Sequence, residues 1–302
     1  MSLSLLILGS GSALPTLRSN QTAQILETES DLYLIDCGEG TQIELRRNKV
    51  RVQRINHIFI SHLHGDHFFG LVGLLSTMHL LGRKKVVTIH GPAGLEEIVR
   101  IQFRNAGSHL SYQMQFNTVN EDQKLIHEDK YVKVHSLQLN HRIKTFGFIF
   151  EEQPKARKLI PEALLHHQVP NYARKAISQG EDYIDPEGRK IDNELLTKDP
   201  EPPKRYAYCS DTAYYEPIIP RLDQVDLLYH EATFQESDKE RAKVTFHSTA
   251  KDAARIANLA GVKKLLVGHF SNRYKNKDGF LQEARPIFPE TYIAEEGERY
   301  NF

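Results

Sequence analysis

The sequence predicts an α/β fold of mixed β-sheets covered by helices, and three observations carry that expectation. Short apolar segments rich in β-branched and aromatic residues recur along the 302 residues, with fewer helical patterns between them. The early segments follow one another closely, which argues against a regular doubly wound sheet. Hydrophobic residues make up 40% of the chain and charged residues 26%, enough core for one large domain or two modest ones.

The strand-like segments are 3–8, 23–27, 32–35, 57–60, 86–89, 132–139, 147–150, 206–209, 227–229 and 264–267. Helical spacing runs over 70–81, 94–103 and 248–259, the last with Ser248 as a candidate N-cap. The opening stretch, 1–9, is apolar but lacks a basic leader and a small-residue cleavage site, so it reads as a first strand and not a signal peptide. No apolar run approaches the roughly 20 residues that span a bilayer. Cys37 and Cys209 are far apart, form no CxxC pair, and read as reduced core residues suited to a cytoplasmic protein. With 39 basic and 39 acidic residues the net charge is zero, so any nucleic-acid binding must use local patches. The whole chain, 1–302, reads as a single domain interrupted at 152–204. That stretch is polar and proline-rich, carries two short amphipathic pieces, and reads as an inserted projecting arm because strand-like text resumes at Tyr206.

His62-Leu63-His64-Gly65-Asp66-His67 follows the apolar run Ile58-Phe59-Ile60-Ser61. Imidazoles and a carboxylate at the end of a buried strand need partners, because unpaired burial costs several kcal/mol. They are also the donor set that zinc takes. Neighbours on an extended chain point opposite ways, so two metals side by side suit the stretch better than one. Three further polar residues end apolar strands: His141, Asp211 and His269. Ligands and catalytic groups gather at such ends. Together the seven groups suffice for two zinc ions with one bridging carboxylate; manganese or iron would tolerate the same donors. His79, His90, His109 and His127 read as lone surface or satisfied core residues, and His166 and His167 as exposed on the arm.

HxHxDH resembles the signature of the metallo-β-lactamase superfamily, whose fold is a four-layered αβ/βα sandwich of two mixed sheets. The fuller set of landmarks is similar to the ribonuclease Z family of tRNA 3′-processing endonucleases. These landmarks are Gly9-Ser10-Gly11-Ser12-Ala13-Leu14-Pro15-Thr16, Leu34-Ile35-Asp36-Cys37-Gly38-Glu39-Gly40-Thr41-Gln42, the metal motif, Tyr208-Cys209-Ser210-Asp211-Thr212, His230-Glu231-Ala232-Thr233, His247-Ser248-Thr249 and Gly268-His269-Phe270-Ser271.

The resemblance implies two Zn²⁺ per subunit. His62, His64 and His141 would hold one, Asp66, His67 and His269 the other, and Asp211 would bridge them. It implies cleavage of precursor tRNA by a shared hydroxide, leaving a 3′-hydroxyl on the tRNA. Asp66 would orient the nucleophile or take its proton, and His247 would stabilise the phosphate or protonate the leaving oxygen. Glu231 would fix the His247 tautomer; an ordinary buried salt link at a helix start is the other reading of that pair. Asp36 would support a metal-binding histidine, or merely cap a turn. In this family the arm grips tRNA, and here Lys155, Arg157, Lys158, Arg174 and Lys175 are the candidate phosphate contacts. At the place of the family's usual Gly-Pro tip stands Asn171-Tyr172-Ala173-Arg174-Lys175. A homodimer, with one subunit's arm serving the other's active site, is implied as well. The alternatives are another hydrolase on the same scaffold, acting on a small phosphodiester, thioester or lactone, and a non-catalytic RNA-binding protein.

Overall fold

The structure is a computed structural model that describes residues 3–29 and 31–302. Met1 and Ser2, part of the predicted first strand, lie outside the described residues. The chain divides into two compact units, one of 1–151 with 204–302 and one of 152–203.

The larger unit holds two seven-stranded mixed sheets. The first contains β1 (Ser4–Gly9), β2 (Ala23–Glu27), β3 (Leu32–Ile35), β4 (Ile55–Phe59), β5 (Val87–Gly91) and β6 (Met114–Thr118). The second contains β7 (Leu125–Glu128), β8 (Val132–Leu139) and β9 (Thr145–Glu152). After the smaller unit, which carries the short strands β10 (Lys158–Leu159), β11 (Tyr183–Ile184), β12 (Lys190–Ile191) and β13 (Thr197–Lys198), the second sheet resumes. It adds β14 (Arg205–Cys209), β15 (Leu227–Glu231), β16 (Lys264–Gly268) and β17 (Thr291–Ile293). The last strand, β18 (Arg299–Asn301), returns to pair antiparallel with β1. The orders are β18-β1-β2-β3-β4-β5-β6 and β17-β16-β15-β14-β9-β8-β7. β3 to β6 run parallel, as do β14 to β17, so their C-terminal ends share one edge in each sheet.

Three apolar layers make this a helix–sheet–sheet–helix sandwich. Leu5, Ile7, Phe59, Phe148 and Tyr206 fill the space between the sheets. Outside the first sheet, Ile58 and Ile89 pack with α3 (Leu71–Leu80) and α4 (Leu95–Asn105). Outside the second, Leu228 and Leu265 pack with α9 (Ala250–Ala260) and α10 (Asp278–Ala284). The cap of α9 is Thr249 and not Ser248: Thr249 Oγ1 accepts from Asp252 N and the Asp252 carboxylate accepts from Thr249 N. Ser248 instead donates its hydroxyl to the Thr212 carbonyl, 2.7 Å away. Gly70, ahead of α3, lies so close to the loop after β3 that a Cβ there would sit 2.1 Å from the Gly38 carbonyl oxygen. That contact draws the histidine-bearing turn against Cys37 and Gly38.

His90 and His127 are not lone residues. With His57 they form a polar seam in the inter-sheet core, where His57 and His127 rings lie 3.9 Å apart. Asn117 donates to His90 Nδ1 and to the Ile126 carbonyl. His90 Nε2 therefore carries the proton and donates to His57 Nδ1, 3.3 Å away. The hydrogen bonds from Asn117 to His90 and from His90 to His57 occupy the ring nitrogens that face one another, so the seam reads as a hydrogen-bonded cluster of satisfied core histidines. Burial pushes the His57 pKa down to about 4 and the His90 pKa down to about 3, with the neighbouring imidazoles adding to both. Both are lowered from 6.5, so the unfolded chain binds more protons between pH 6.5 and 4. Their stabilising contribution is complete above pH 6.5 and is lost as the pH falls. Chemical denaturation with chelator present should show a loss of a few kcal/mol over that interval, at about 1.4 kcal/mol per group and pH unit. His90→Leu should flatten this dependence; an unchanged slope would refute the assignment.

The smaller unit has a core of its own, Leu164, Val169, Ile177, Tyr183, Ile191 and Leu196. Around it stand α5 (Pro161–His166), α6 (Arg174–Ser178) and α7 (Asn193–Leu196). Buried Asn193 ties them together, donating to the carbonyls of Ile177 and Glu181 at 2.7 Å each. His166 is exposed and His167 half-buried.

Candidate metal centre

The C-terminal ends of the parallel strands and the loops beside them bring all seven sequence-predicted metal residues together. His62, His64, Asp66 and His67 follow β4 through a one-turn helix, α2 (Gly65–Phe68). His141 follows β8, Asp211 follows β14 and His269 follows β16.

Two ligand groups lie side by side. In one, His62 Nε2 and His141 Nε2 face His64 Nδ1 at 3.1 and 3.2 Å. In the other, His67 Nε2 and His269 Nε2 face each other at 3.3 Å, with Asp66 Oδ2 3.6 and 3.4 Å from them. Asp211 sits between. Its Oδ2 lies 3.5 Å from His62 and 3.8 Å from His141, and its Oδ1 lies 3.3 Å from His67 and 3.2 Å from His269.

The outer ring nitrogens fix the tautomers. His67 Nδ1 donates to Asp36 Oδ2 at 2.7 Å, and His141 Nδ1 to the Phe246 carbonyl at 2.8 Å. Ser61 Oγ donates to Asp36, so it accepts from His62 Nδ1. Thr233 Oγ1 donates to Glu231, so it accepts from His269 Nδ1. In the neutral form of each ring the Nε2 atom of His62, His141, His67 and His269 therefore turns its lone pair inward, toward the others and Asp211. Asp211 Oδ1 is a buried carboxylate oxygen with no hydrogen-bond partner.

Charge points the same way. The side chains of Asp36, Asp211 and Glu231 are buried and that of Asp66 is 10% exposed. Among the described residues, no lysine or arginine pairs with any of these four carboxylates. Charges placed like this are tolerated only beside a counter-charge. Burial opposes a proton on His67, but Asp211, Asp66 and Asp36 outweigh it and hold its pKa well above the usual range. Burial alone would raise the Asp211 pKa, yet the surrounding imidazoles hold it well below the usual carboxylate range. Burial, joined by His67, pushes His62 down to about 4, and burial also lowers His64 and His141, so these three offer neutral rings. The carboxylates that hold a proton on His67 are the same ones a divalent cation would satisfy, and a donor set of imidazole nitrogens and carboxylate oxygens fits such an ion.

His247 joins the centre from the loop after α8 (Lys239–Thr245). Its Nδ1 donates to Glu231 Oε1 at 2.8 Å and its Nε2 lies 4.0 Å from Asp211 Oδ2. Burial opposes charging, but Glu231, with Asp211 adding to it, more than compensates and lifts the His247 pKa to about 9. Glu231 is itself gripped by the backbone N–H groups of Thr212, Thr233 and Ser248. Asp36, Phe246 and His269 all adopt positive φ, 54°, 59° and 62°. Such strained backbone clusters at functional sites. Beside the centre opens a cavity of about 700 Å³ whose wall includes Leu14, Asp66, Phe69, Thr233, Arg241 and His247.

The Phe246 carbonyl and Arg241 escape the sequence reading, and Tyr208 enters it only as the first residue of the landmark that ends in Asp211 and Thr212, with no role of its own. Arg241 is exposed on the cavity wall and makes no ion pair among the described residues. Thr233 likewise enters only as the close of the His230–Thr233 landmark. The five arm cations lie away from this cluster in sequence, in the smaller unit. There Lys155 pairs with Glu152 at 2.6 Å, and Arg157 with Asp199 and Thr197. Lys158, Arg174 and Lys175 are exposed and make no ion pair among the described residues.

The class follows from the double sheet and the histidine–aspartate pocket at its edge: this is a metallo-β-lactamase fold with a metal-binding hydrolase centre. Residues 3–154 match the model of the family described as "Anti-Pycsar protein Apyc1". A ribonuclease Z of Parabacteroides distasonis is 49% identical over 294 residues, 97% of each chain. One of Porphyromonas gingivalis is 48% identical over 291 residues, 96% of each chain. The solved structure of human tRNase Z, short form, superposes with a TM-score of 0.71 at 26% identity, over 99% of this chain and 98% of that one. The chain belongs to the ribonuclease Z family.

Proposed function

We propose that the protein is a zinc-dependent endoribonuclease that removes the 3′ trailer from precursor tRNA and leaves a 3′-hydroxyl on the tRNA. The carrying observation is a centre poor in positive charge, with four carboxylates and six imidazoles, in a chain almost half identical to ribonucleases Z along nearly its full length.

The grouping supports His62, His64 and His141 as ligands of one zinc, and Asp66, His67 and His269 as ligands of the other. Asp211 faces both groups with one oxygen each and is the natural bridge. When bound, two zinc ions supply a water acidified toward neutral pH and positive charge for the phosphoryl oxygens. The protein's own part is positional and acid–base. Asp66 stands at the rim of the cavity, where a carboxylate oxygen can orient the attacking water and accept its proton. His247, kept protonated by Glu231, turns Nε2 toward the pocket. From there it donates a proton to the leaving oxygen, which becomes the tRNA 3′-hydroxyl. Arg241 supplies a guanidinium to phosphates in the cavity.

We further assign tRNA binding to the smaller unit, through Lys158, Arg174 and Lys175 foremost, because Lys155 and Arg157 are already engaged. The subunits would act as a homodimer; Leu14 and Phe69, 62% and 66% exposed, offer apolar surface beside the cavity. A cytoplasmic setting suits the two buried, unpaired cysteines. No helix among the described residues is long and apolar enough to cross a membrane.

The deciding experiment is incubation of the zinc-loaded protein with a precursor tRNA and mapping of both product ends, with a chromogenic phosphodiester and a lactone in parallel. Cleavage of only the small substrates would replace the ribonuclease reading with that of a small-molecule hydrolase. Reversing the charge of Arg174 and Lys175 together should raise the KM for precursor tRNA about ten-fold or more and flatten its salt dependence by about two phosphate contacts. The small phosphodiester should be unaffected. Equal changes on both substrates would remove the arm from tRNA binding.

A further inference from the structure

Asp36 is fully buried, sits at φ 54°, and accepts four hydrogen bonds. Ser61 N reaches Oδ1 at 2.7 Å. Ser61 Oγ, His67 Nδ1 and Tyr208 Oη all reach Oδ2, at 2.8, 2.7 and 2.6 Å. Three of these four come from the first sheet and its loops. Tyr208 is the exception: it belongs to β14, in the second sheet, the strand that runs on to Asp211. A second bond follows the same route, from Ser210 Oγ to Ser61 Oγ at 3.0 Å. The metal motif after β4 and the aspartate after β14 are therefore joined through buried polar contacts across the space between the sheets. The packing around these contacts is largely apolar, and apolar side chains pack without fixing direction. A hydrogen-bonded link has both a length and an angle.

We propose that Tyr208 is a positioning residue for the metal centre: its hydroxyl holds Asp36 from the opposite sheet, and Asp36 in turn aims His67 at its metal. The proposal rests on the reading of His67, Asp66 and His269 as one zinc site. Tyr208 touches neither metal nor substrate. Without its hydroxyl, Asp36 Oδ2 keeps two donors, both from its own sheet, and the carboxylate is tied to the strand that carries Asp211 only indirectly, through Ser61 and Ser210. The His67 site should then loosen more than the His62–His64–His141 site, since His67 bonds Asp36 directly and His62 meets it only through Ser61 Oγ. Partners of this kind, beyond the ligands themselves, typically change metal affinity 10–100-fold.

The test compares zinc-loaded wild type with Tyr208→Phe, reading the zinc left per chain as a chelator of known affinity is titrated in. The expected result is two classes of zinc in Tyr208→Phe: one equivalent released at 10–100-fold lower chelator strength, the other held close to the wild-type strength. Raising free zinc should restore kcat. Tyr229→Phe is the packing control, because the Tyr229 ring stacks on Tyr208 at 5.2 Å and makes no hydrogen bond to Asp36. Asp36→Asn carries the test should Tyr208→Phe fail to fold, because the Tyr208 hydroxyl reaches His67 through this carboxylate, and loosening of the same equivalent is expected. Wild-type retention of both equivalents in the variant overturns the proposal. So does equal loosening of both, or the same loss in Tyr229→Phe. A wild-type chain that binds no zinc at all would instead overturn the metal-centre reading itself.

Discussion

Asp211→Ala is expected to release both ions of the proposed zinc pair and to lower kcat/KM for precursor tRNA by more than the roughly 10²–10⁴-fold that loss of a proton donor costs, the largest effect of any single substitution here. Asp211 presents one oxygen to His62 and His141 and the other to His67 and His269, so its removal opens both groups at once. Loss of the ions leaves water at its ordinary pKa and the phosphoryl charge without cationic partners. A stability effect should accompany the loss of activity. An ion that binds only the folded chain stabilises it by about 4 kcal/mol at a thousand times its Kd. Added zinc should therefore raise the Tm of the metal-free wild type and leave that of Asp211→Ala nearly unchanged. Asp211→Asn separates charge from bulk: it keeps the side chain's size and should lose the same ions. Two equivalents of zinc retained by Asp211→Ala would exclude the bridging role.

The centre was legible in the sequence for a physical reason. A histidine or aspartate that ends an apolar strand stands out, and strand ends converge at one edge once parallel strands pair. That is why His141, Asp211 and His269 could be picked without knowing that the chain brings them together. The supporting residues lack such a mark. Tyr208 reads as one more aromatic in a buried strand; its hydroxyl matters only because Asp36, 172 residues away in sequence, lies opposite. His57, His90 and His127 look solitary for the same reason, coming from three strands that meet only in the folded protein. The long apolar strands were also legible, whereas β6, β7, β17 and β18 were not. Met114–Thr118 and Arg299–Asn301 are polar, and Thr291–Ile293 has only three residues, so pairing with a neighbour makes them strands and not their own pattern. In the smaller unit the sequence showed candidate cations but could not show which were already paired, and the structure sets Lys155 and Arg157 apart from the other three.

His247→Ala should lower kcat on precursor tRNA by about 10²–10⁴-fold, the range typical for loss of a positioned proton donor. KM should stay within a few-fold and both zinc ions should remain. The second measurement carries the weight, because His247, Asp211 and His269 also lie close enough together to share an ion. A variant that loses one zinc would make His247 a ligand; one that keeps both and loses rate makes it an acid. Glu231→Gln then asks how the proton is held. The carboxylate lifts the His247 pKa against the opposing effect of burial, so the neutral amide should let it fall. His247 can donate only while protonated, and activity in the wild type should therefore fade on the alkaline side as that proton leaves. In Glu231→Gln the same limb should move to lower pH, with zinc content unchanged. The amide also brings an N–H toward the donors of Thr212, Thr233 and Ser248, so part of the loss will be positional. Only the displacement of the alkaline limb reports on the charge. A limb that stays in place while kcat falls would mean that Glu231 fixes the ring and does nothing to its proton.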